Sequence, residues 1–301
     1  MSRPPVIIIG MHRSGTSLLT RVLQQAGFFM GTGASRNEEA AFTNAVNAWL
    51  FREASATWDR PESLDWLLAD EALRPWLLDY MRDMIEGPAS LRFLGIRRGL
   101  RGWGLAKQST PWGWKDPRNT FTLPLWLELF PHARVLHIVR HGADVAASLR
   151  SRRSEVFDQR RARYRQYRPA HRLDPFAPRR RGFAPQVRCG TLEGGLELWA
   201  QYVARARQHV RALDERALEI SYESLLAAPK DTLDQALQFC DCPLGTERLA
   251  MTAATFRPDR AHAWHRDPEL RAFAERHHKT LQAQGYDAHP PTSPIPAPLS
   301  P

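Results

Sequence analysis

The chain has 301 residues, of which 43% are hydrophobic and 10 are tryptophan, so it can bury a large core and is too apolar to be disordered along most of its length. Its net charge of +10 rests on arginine, the lysines being Lys107, Lys115, Lys230 and Lys279; guanidinium forks fit phosphate and sulfate oxygens, which favours an anionic partner, an arginine-biased genome being the competing reading. Cys189, Cys240 and Cys242 are odd in number and lack zinc-ligand spacing, which argues against a disulfide framework or a structural metal and fits a reducing cytoplasm, and no apolar run approaches a signal peptide or the roughly 20 residues of a membrane span.

In chain order, the first element is the stretch "PPVIIIGMHRSGTSLL", residues 4 to 19. Its apolar run reads as a buried strand, Val6–Ile9, followed by a turn and a helix over 17–26. Gly10, Gly15 and Ser17 stand where a nucleotide phosphate loop, G-x-x-x-x-G-K-[ST], requires them, but Thr16 occupies the lysine position. Backbone N–H groups after Gly10, together with the helix N-terminus, make an anion nest. Arg13 then supplies the cation, with the Ser14, Thr16 and Ser17 hydroxyls around it. A purely structural turn is the plainer alternative.

Helical patterns follow over 38–53 and 70–85, then a strand over 112–115 and a helix over 122–130. A further strand spans 135–139 and ends in Arg140, where a magnesium-dependent phosphoryl-transfer enzyme would need an acid. Ser148 lies eight residues on, in a helix expected over 144–152, and this pair suits a second phosphate without a metal. Residues 150–188 carry a dense arginine series broken by prolines, which reads as a mobile excursion: a solvated charged loop or a substrate-gripping lid. Helices over Leu192–Leu213, 232–240 and 268–284 flank a last strand at 218–220, and the Pro-rich tail 289–301 should be disordered. The alternation predicts an α/β fold, a P-loop-like parallel sheet flanked by helices, in a single domain over 1–288.

Four segments in order carry a family resemblance: "GMHRSGTSLL", "WGWKDPRNTFTLPLW", "RVLHIVRHGADVAASLRSR" and "LEISYESLLAAP". They resemble the sulfotransferases that use 3′-phosphoadenosine 5′-phosphosulfate, of the bacterial type related to the Golgi and cytosolic enzymes. The resemblance implies metal-independent sulfuryl transfer from that donor to a hydroxyl or amine acceptor, leaving adenosine 3′,5′-bisphosphate. It implies that Arg13 neutralises charge on the oxygen bridging phosphorus and sulfur and that Ser14, Gly15, Thr16 and Ser17 wrap the 5′-phosphate. Arg140 and Ser148 would hold the 3′-phosphate, and Lys115 would sit near the transferring group unless it only pairs with Asp116. The middle segment has Pro117 where the cytosolic enzymes have a catalytic histidine. Glu39 is preferred as general base over its neighbour Glu38; Asp116, flanked by Lys115 and Arg118, makes a poor base, and His12, another candidate, sits inside the loop, where a structural role is the favoured reading.

Two other classes compete, a small-molecule kinase using ATP and magnesium and a basic nucleic-acid-binding protein. The absent loop lysine opposes the first, and no reading motif supports the second. The acceptor surface falls in residues 28–105 and the arginine-rich segment. Arginine excess suits an anionic glycan or other acidic acceptor, with a small metabolite, a lipid or a small phenol as further options. Trp49, Trp58, Trp66, Trp76 and Trp103 are expected mostly in the core. Trp264 with His262 and His265, and Tyr222 with Glu223, read as structural.

Overall fold

A computed structural model describes residues 2–33, 37–100, 102–173, 186–257 and 260–288 of the chain. Four parallel strands, β1 Val6–Ile9, β2 Gly113–Lys115, β3 Arg134–Val139 and β4 Ala217–Ser221, form one sheet in the order β2-β1-β3-β4. The strands fall where the apolar runs predicted them, because a parallel sheet covered on both faces needs short, continuous apolar segments. Helices α1 Thr16–Gln25, α2 Ala41–Glu53, α3 Leu64–Ala69, α4 Arg74–Glu86, α5 Leu91–Gly99 and α6 Asn119–Leu129 precede β3. Helices α7 Gly142–Arg172 and α8 Leu192–Leu213 separate β3 from β4. After β4 come α9 Tyr222–Ala227, α10 Pro229–Phe239, α11 Thr246–Ala253, α12 Pro268–Arg276 and α13 His278–Gln282.

The chain divides into two compact units. The first, built on Met1–Arg140 and Tyr202–His262, contains the sheet. On one side, Ile8, Ile138 and Ile220 pack with Leu19 and Leu23 of α1 and Leu225, Leu233 and Leu237 of the later helices. An aromatic cluster closes another part of the core, with the Trp114 ring 4.9 Å from Trp126 and 5.8 Å from Phe130. The five earlier tryptophans do not join it. Trp66, Trp76 and Trp103 are exposed, and Trp49 and Trp58 are half-buried. Short helices α3 and α4 already fill their inner faces with Leu64, Leu67, Leu77, Met81 and Ile85, so the large rings turn outward.

The second unit comprises His141–Gln201 and Ala263–Pro290. His141 Nδ1 accepts from the Ala143 N–H at the start of α7, while its Nε2 donates to the Asp287 carbonyl at 3.0 Å. Its ring stacks on buried Trp264, and the Trp264 N–H bonds to Asp144 Oδ1 at 2.8 Å. That agrees with the structural reading of Trp264. Gly142 permits close packing of α7: a Cβ there would lie 2.7 Å from Leu196 and 2.8 Å from Trp199. The arginine-rich stretch differs from the loop expected: α7 carries it in helical form as far as a kink at Tyr167, with a last turn to Arg172. Arginine and alanine are good helix formers, and Pro169 enters only near the C-terminal end, beside a departure from helical geometry at Tyr167. Residues 174–185 of the excursion and the tail 289–301 lie outside the described residues.

Candidate active site

Parallel strands place the segments after β1, β2, β3 and β4 along one carboxyl edge. Register makes this concrete, since Ile8 pairs with Lys115, Ile9 with His137 and Val139 with Ser221. The loop from Gly10, Lys115 and Arg140 therefore leave adjacent strands side by side. Sequence separations of more than a hundred residues collapse into one edge.

The loop after β1 is shaped by backbone that departs from the common regions. Gly10 has φ 130, Gly15 φ 99 and, unusually for a side-chain-bearing residue, Arg13 has φ 72. Gly10 cannot carry a side chain, because a Cβ would stand 2.5 Å from the Ile138 carbonyl oxygen; its N–H donates to Thr120 Oγ1 at 3.1 Å. Gly15 is similarly confined by the Tyr222 ring. No side chain caps α1 at Gly15, which leaves the helix's first N–H groups directed out of its N-terminus. The Ser14 hydroxyl is fully buried and has no hydrogen-bond partner. Buried hydroxyls are seldom left so, and an oxyanion seated on this N-terminus would satisfy both groups. The loop thus fits a phosphate or sulfate.

Among the other predicted loop residues, Arg13 is exposed and Thr16 buried. The Ser17 hydroxyl donates to the Asn37 carbonyl at 2.7 Å. That bond ties α1 to the segment that carries the two candidate bases.

There the two neighbouring glutamates part. Glu38, at φ 60, faces partly exposed Arg21 across 3.8 Å. Glu39 is buried and accepts from Lys115 Nζ at 3.1 Å on Oε1 and from Asn44 Nδ2 at 3.0 Å on Oε2. Burial raises the Glu39 pKa above the ordinary glutamate value, with Lys115 opposing, and burial lowers that of Lys115, with Glu39 opposing. Lys115 does not pair with Asp116. Asp116 instead receives the Arg118 N–H, Nε and Nη2 at 2.8 to 3.1 Å and Asn47 Nδ2 at 3.0 Å. Asn47, which sequence reading passed over, uses its full capacity in the core, giving also to Asn119 Oδ1 and accepting from Thr122 and Trp126. Such a residue carries no sequence signal, because its partners are remote.

Arg140 lies 4.6 Å over the Tyr222 ring and donates to the carbonyls of Arg13, at 3.5 Å, and Arg260, at 3.2 Å. It is braced against the loop after β1. Ser148 is half-buried in the second turn of α7, in the second unit. His12 packs its ring 4.4 Å from Trp58, whose carbonyl accepts from Tyr202 Oη at 2.8 Å.

A family model described as "Sulfotransferase family" matches residues 4–246, most of the chain. The chain belongs to the sulfotransferase family. No curated protein matches this sulfotransferase in sequence. Among solved structures it is similar to sulfotransferase STF9 from Mycobacterium avium, at 16% identity and a TM-score of 0.44 over 93% of this chain and 77% of that one. It is similar also to the sulfotransferase domain from the curacin biosynthetic pathway, at 15% identity and a TM-score of 0.47 over 92% and 98%. A sulfotransferase from Alicyclobacillus acidocaldarius matches at 18% identity and a TM-score of 0.41 over 95% and 98%. The sulfotransferase has no helix, among the described residues, long and apolar enough to cross a membrane.

Proposed function

We propose that this sulfotransferase moves a sulfuryl group from 3′-phosphoadenosine 5′-phosphosulfate to a hydroxyl or amine of a glycan or small metabolite. The observation that carries this reading is the buried contact of Lys115 with Glu39 at 3.1 Å, on the same sheet edge as the phosphate loop. When bound, the donor supplies an activated sulfur with a phosphate leaving group. The N-terminus of α1, with the N–H groups of Gly15, Thr16 and Ser17 and the Ser14 hydroxyl, holds the 5′-phosphate. Arg140 is assigned the 3′-phosphate, with Ser148 as the second ligand implied by sequence spacing.

Glu39, held less acidic by burial, takes the proton of the acceptor as its oxygen or nitrogen bonds to sulfur. The sulfur–oxygen bond to the leaving phosphate breaks, and its electron pair goes to the bridging oxygen. Arg13 and Lys115 stabilise the charge that develops there, which is where preorganised cations contribute most. Lys115 also opposes the rise in the Glu39 pKa that burial causes. An odd number of cysteines, Cys189, Cys240 and Cys242, supports placing the enzyme in a reducing cytoplasm. Arginine excess supports an acidic acceptor such as an anionic glycan.

Calorimetric titration tests the donor. Adenosine 3′,5′-bisphosphate should bind without magnesium and more tightly than ATP with magnesium. Tight binding of ATP with no binding of the bisphosphate would replace this reading with a kinase.

A further inference from the structure

On the first unit, the segment joining α4 to β2 turns apolar side chains to water. Ile96 is 81% and Leu100 83% exposed. The Leu100 N–H bonds to the Ile96 carbonyl at 3.0 Å, so the two lie one helical turn apart on the same face. Trp103, also exposed, follows three residues later. The segment is otherwise well packed: Phe93, Leu94 and Leu105 are buried, and a Cβ on Gly99 would lie 2.0 Å from Leu91.

The charged residues flanking these side chains in sequence have one sign. Between Gly87 and Lys115 the sequence has no carboxylate. Arg92, Arg97 and Lys107 are exposed, whereas Arg98 is engaged with Thr110 and lies 4.1 Å over the Phe29 ring. The nearest opposing groups in sequence are Asp83 and Glu86 at the end of α4, and the Glu86 backbone passes close to Gly104. We propose that the exposed pair Ile96 and Leu100, with exposed Trp103 following in sequence, docks on an anionic phospholipid surface. Two aliphatic side chains enter the acyl boundary, the indole takes the headgroup level that suits its amphipathic ring, and the cations meet lipid phosphates. A nucleic acid would satisfy the cations but leave Ile96 and Leu100 in water.

The test is co-sedimentation of the full chain with phosphatidylcholine vesicles, with and without phosphatidylglycerol. The protein should sediment with the anionic vesicles and be released by salt. The double variant Ile96→Asp, Leu100→Asp should partition at least ~10-fold less, and Arg92→Gln, Arg97→Gln, Lys107→Gln on the order of 100-fold less at low salt. Both should keep the wild-type melting temperature and circular dichroism, since the changed side chains are exposed. Failure of the folded wild type to sediment with anionic vesicles overturns the proposal. So does equal sedimentation by the Asp variant, or a dimer in ultracentrifugation that the Asp variant dissolves without any vesicle binding, which would give this face to a second copy of the chain.

Discussion

Lys115 Nζ stands 3.1 Å from Glu39 Oε1, across a sequence separation of 76 residues. Each partner is driven by burial toward its neutral form and held back by the other's charge. The base that sequence reading preferred is thus found on the lysine it placed beside the sulfuryl group, and the catalytic roles of both are proposals with direct tests.

If Glu39 is the base and Lys115 acts as a cation, kcat/KM should follow a bell in pH. Its acid limb should lie above the ordinary glutamate value of 4.5 and its alkaline limb below the ordinary lysine value of 10.5. Glu39→Gln should remove the acid limb and lower kcat by about 100-fold or more. An acid limb that survives this substitution would assign the proton to another group.

Breaking the pair from one side should cost more than removing both partners. Lys115→Met leaves a buried carboxylate without its cation, a loss of about 3–5 kcal/mol near neutral pH. Without the lysine, the folded pKa of Glu39 rises further above its unfolded value. The protonated form is therefore favoured by folding, and the deficit should shrink as pH falls and grow as pH rises through the folded pKa. The double variant Glu39→Gln, Lys115→Met should recover most of the stability in urea denaturation. A deficit that is independent of pH and persists in the double variant would mean lost packing alone.

Arg13→Ala should lower turnover by more than it weakens donor binding, because the charge on the leaving phosphate grows in the transition state. Single-turnover kinetics beside calorimetry separates the two effects. Unchanged turnover would exclude Arg13 from the chemistry, whatever its effect on affinity.

Arg140→Ala should weaken adenosine 3′,5′-bisphosphate by about 1.5–3 kcal/mol, the range for a hydrogen bond to a charged group, and leave adenosine 5′-phosphate nearly unchanged. The comparison is needed because Arg140 also touches the Arg13 carbonyl and the Tyr222 ring. A distorted loop would weaken both nucleotides together. Equal losses in folded protein would take Arg140 out of the 3′-phosphate site.

Gly10→Ala should destabilise the fold by about 2–4 kcal/mol, combining a left-handed backbone with a clash. The clashing atom is the Ile138 carbonyl oxygen inside the sheet, which cannot rotate away as a side chain could. Gly245→Ala, with open space around it and a negative φ of −61, is the control and should change the melting temperature little.

Local pattern made four things legible in the amino-acid sequence: the four strands, the glycine-bounded loop after β1, the helix that follows it and the cation at the end of β3. Each depends on residues within a few positions of one another: an apolar run with a terminus, or glycines at fixed offsets. Sequence alone therefore determined the parallel α/β class and the family. It preferred Glu39 to Glu38 and Asp116 but could not say which basic residue each acid meets, because all three are acids near basic residues; only the fold brings Lys115 to Glu39, Arg21 to Glu38 and Arg118 with Asn47 to Asp116. Nor did it foresee the helix running to Arg172 or the outward-facing tryptophans, since composition does not say which face of a short helix meets the core. Burial and long-range pairing are properties of the packed chain, and these decided which carboxylate is held less acidic beside a buried lysine.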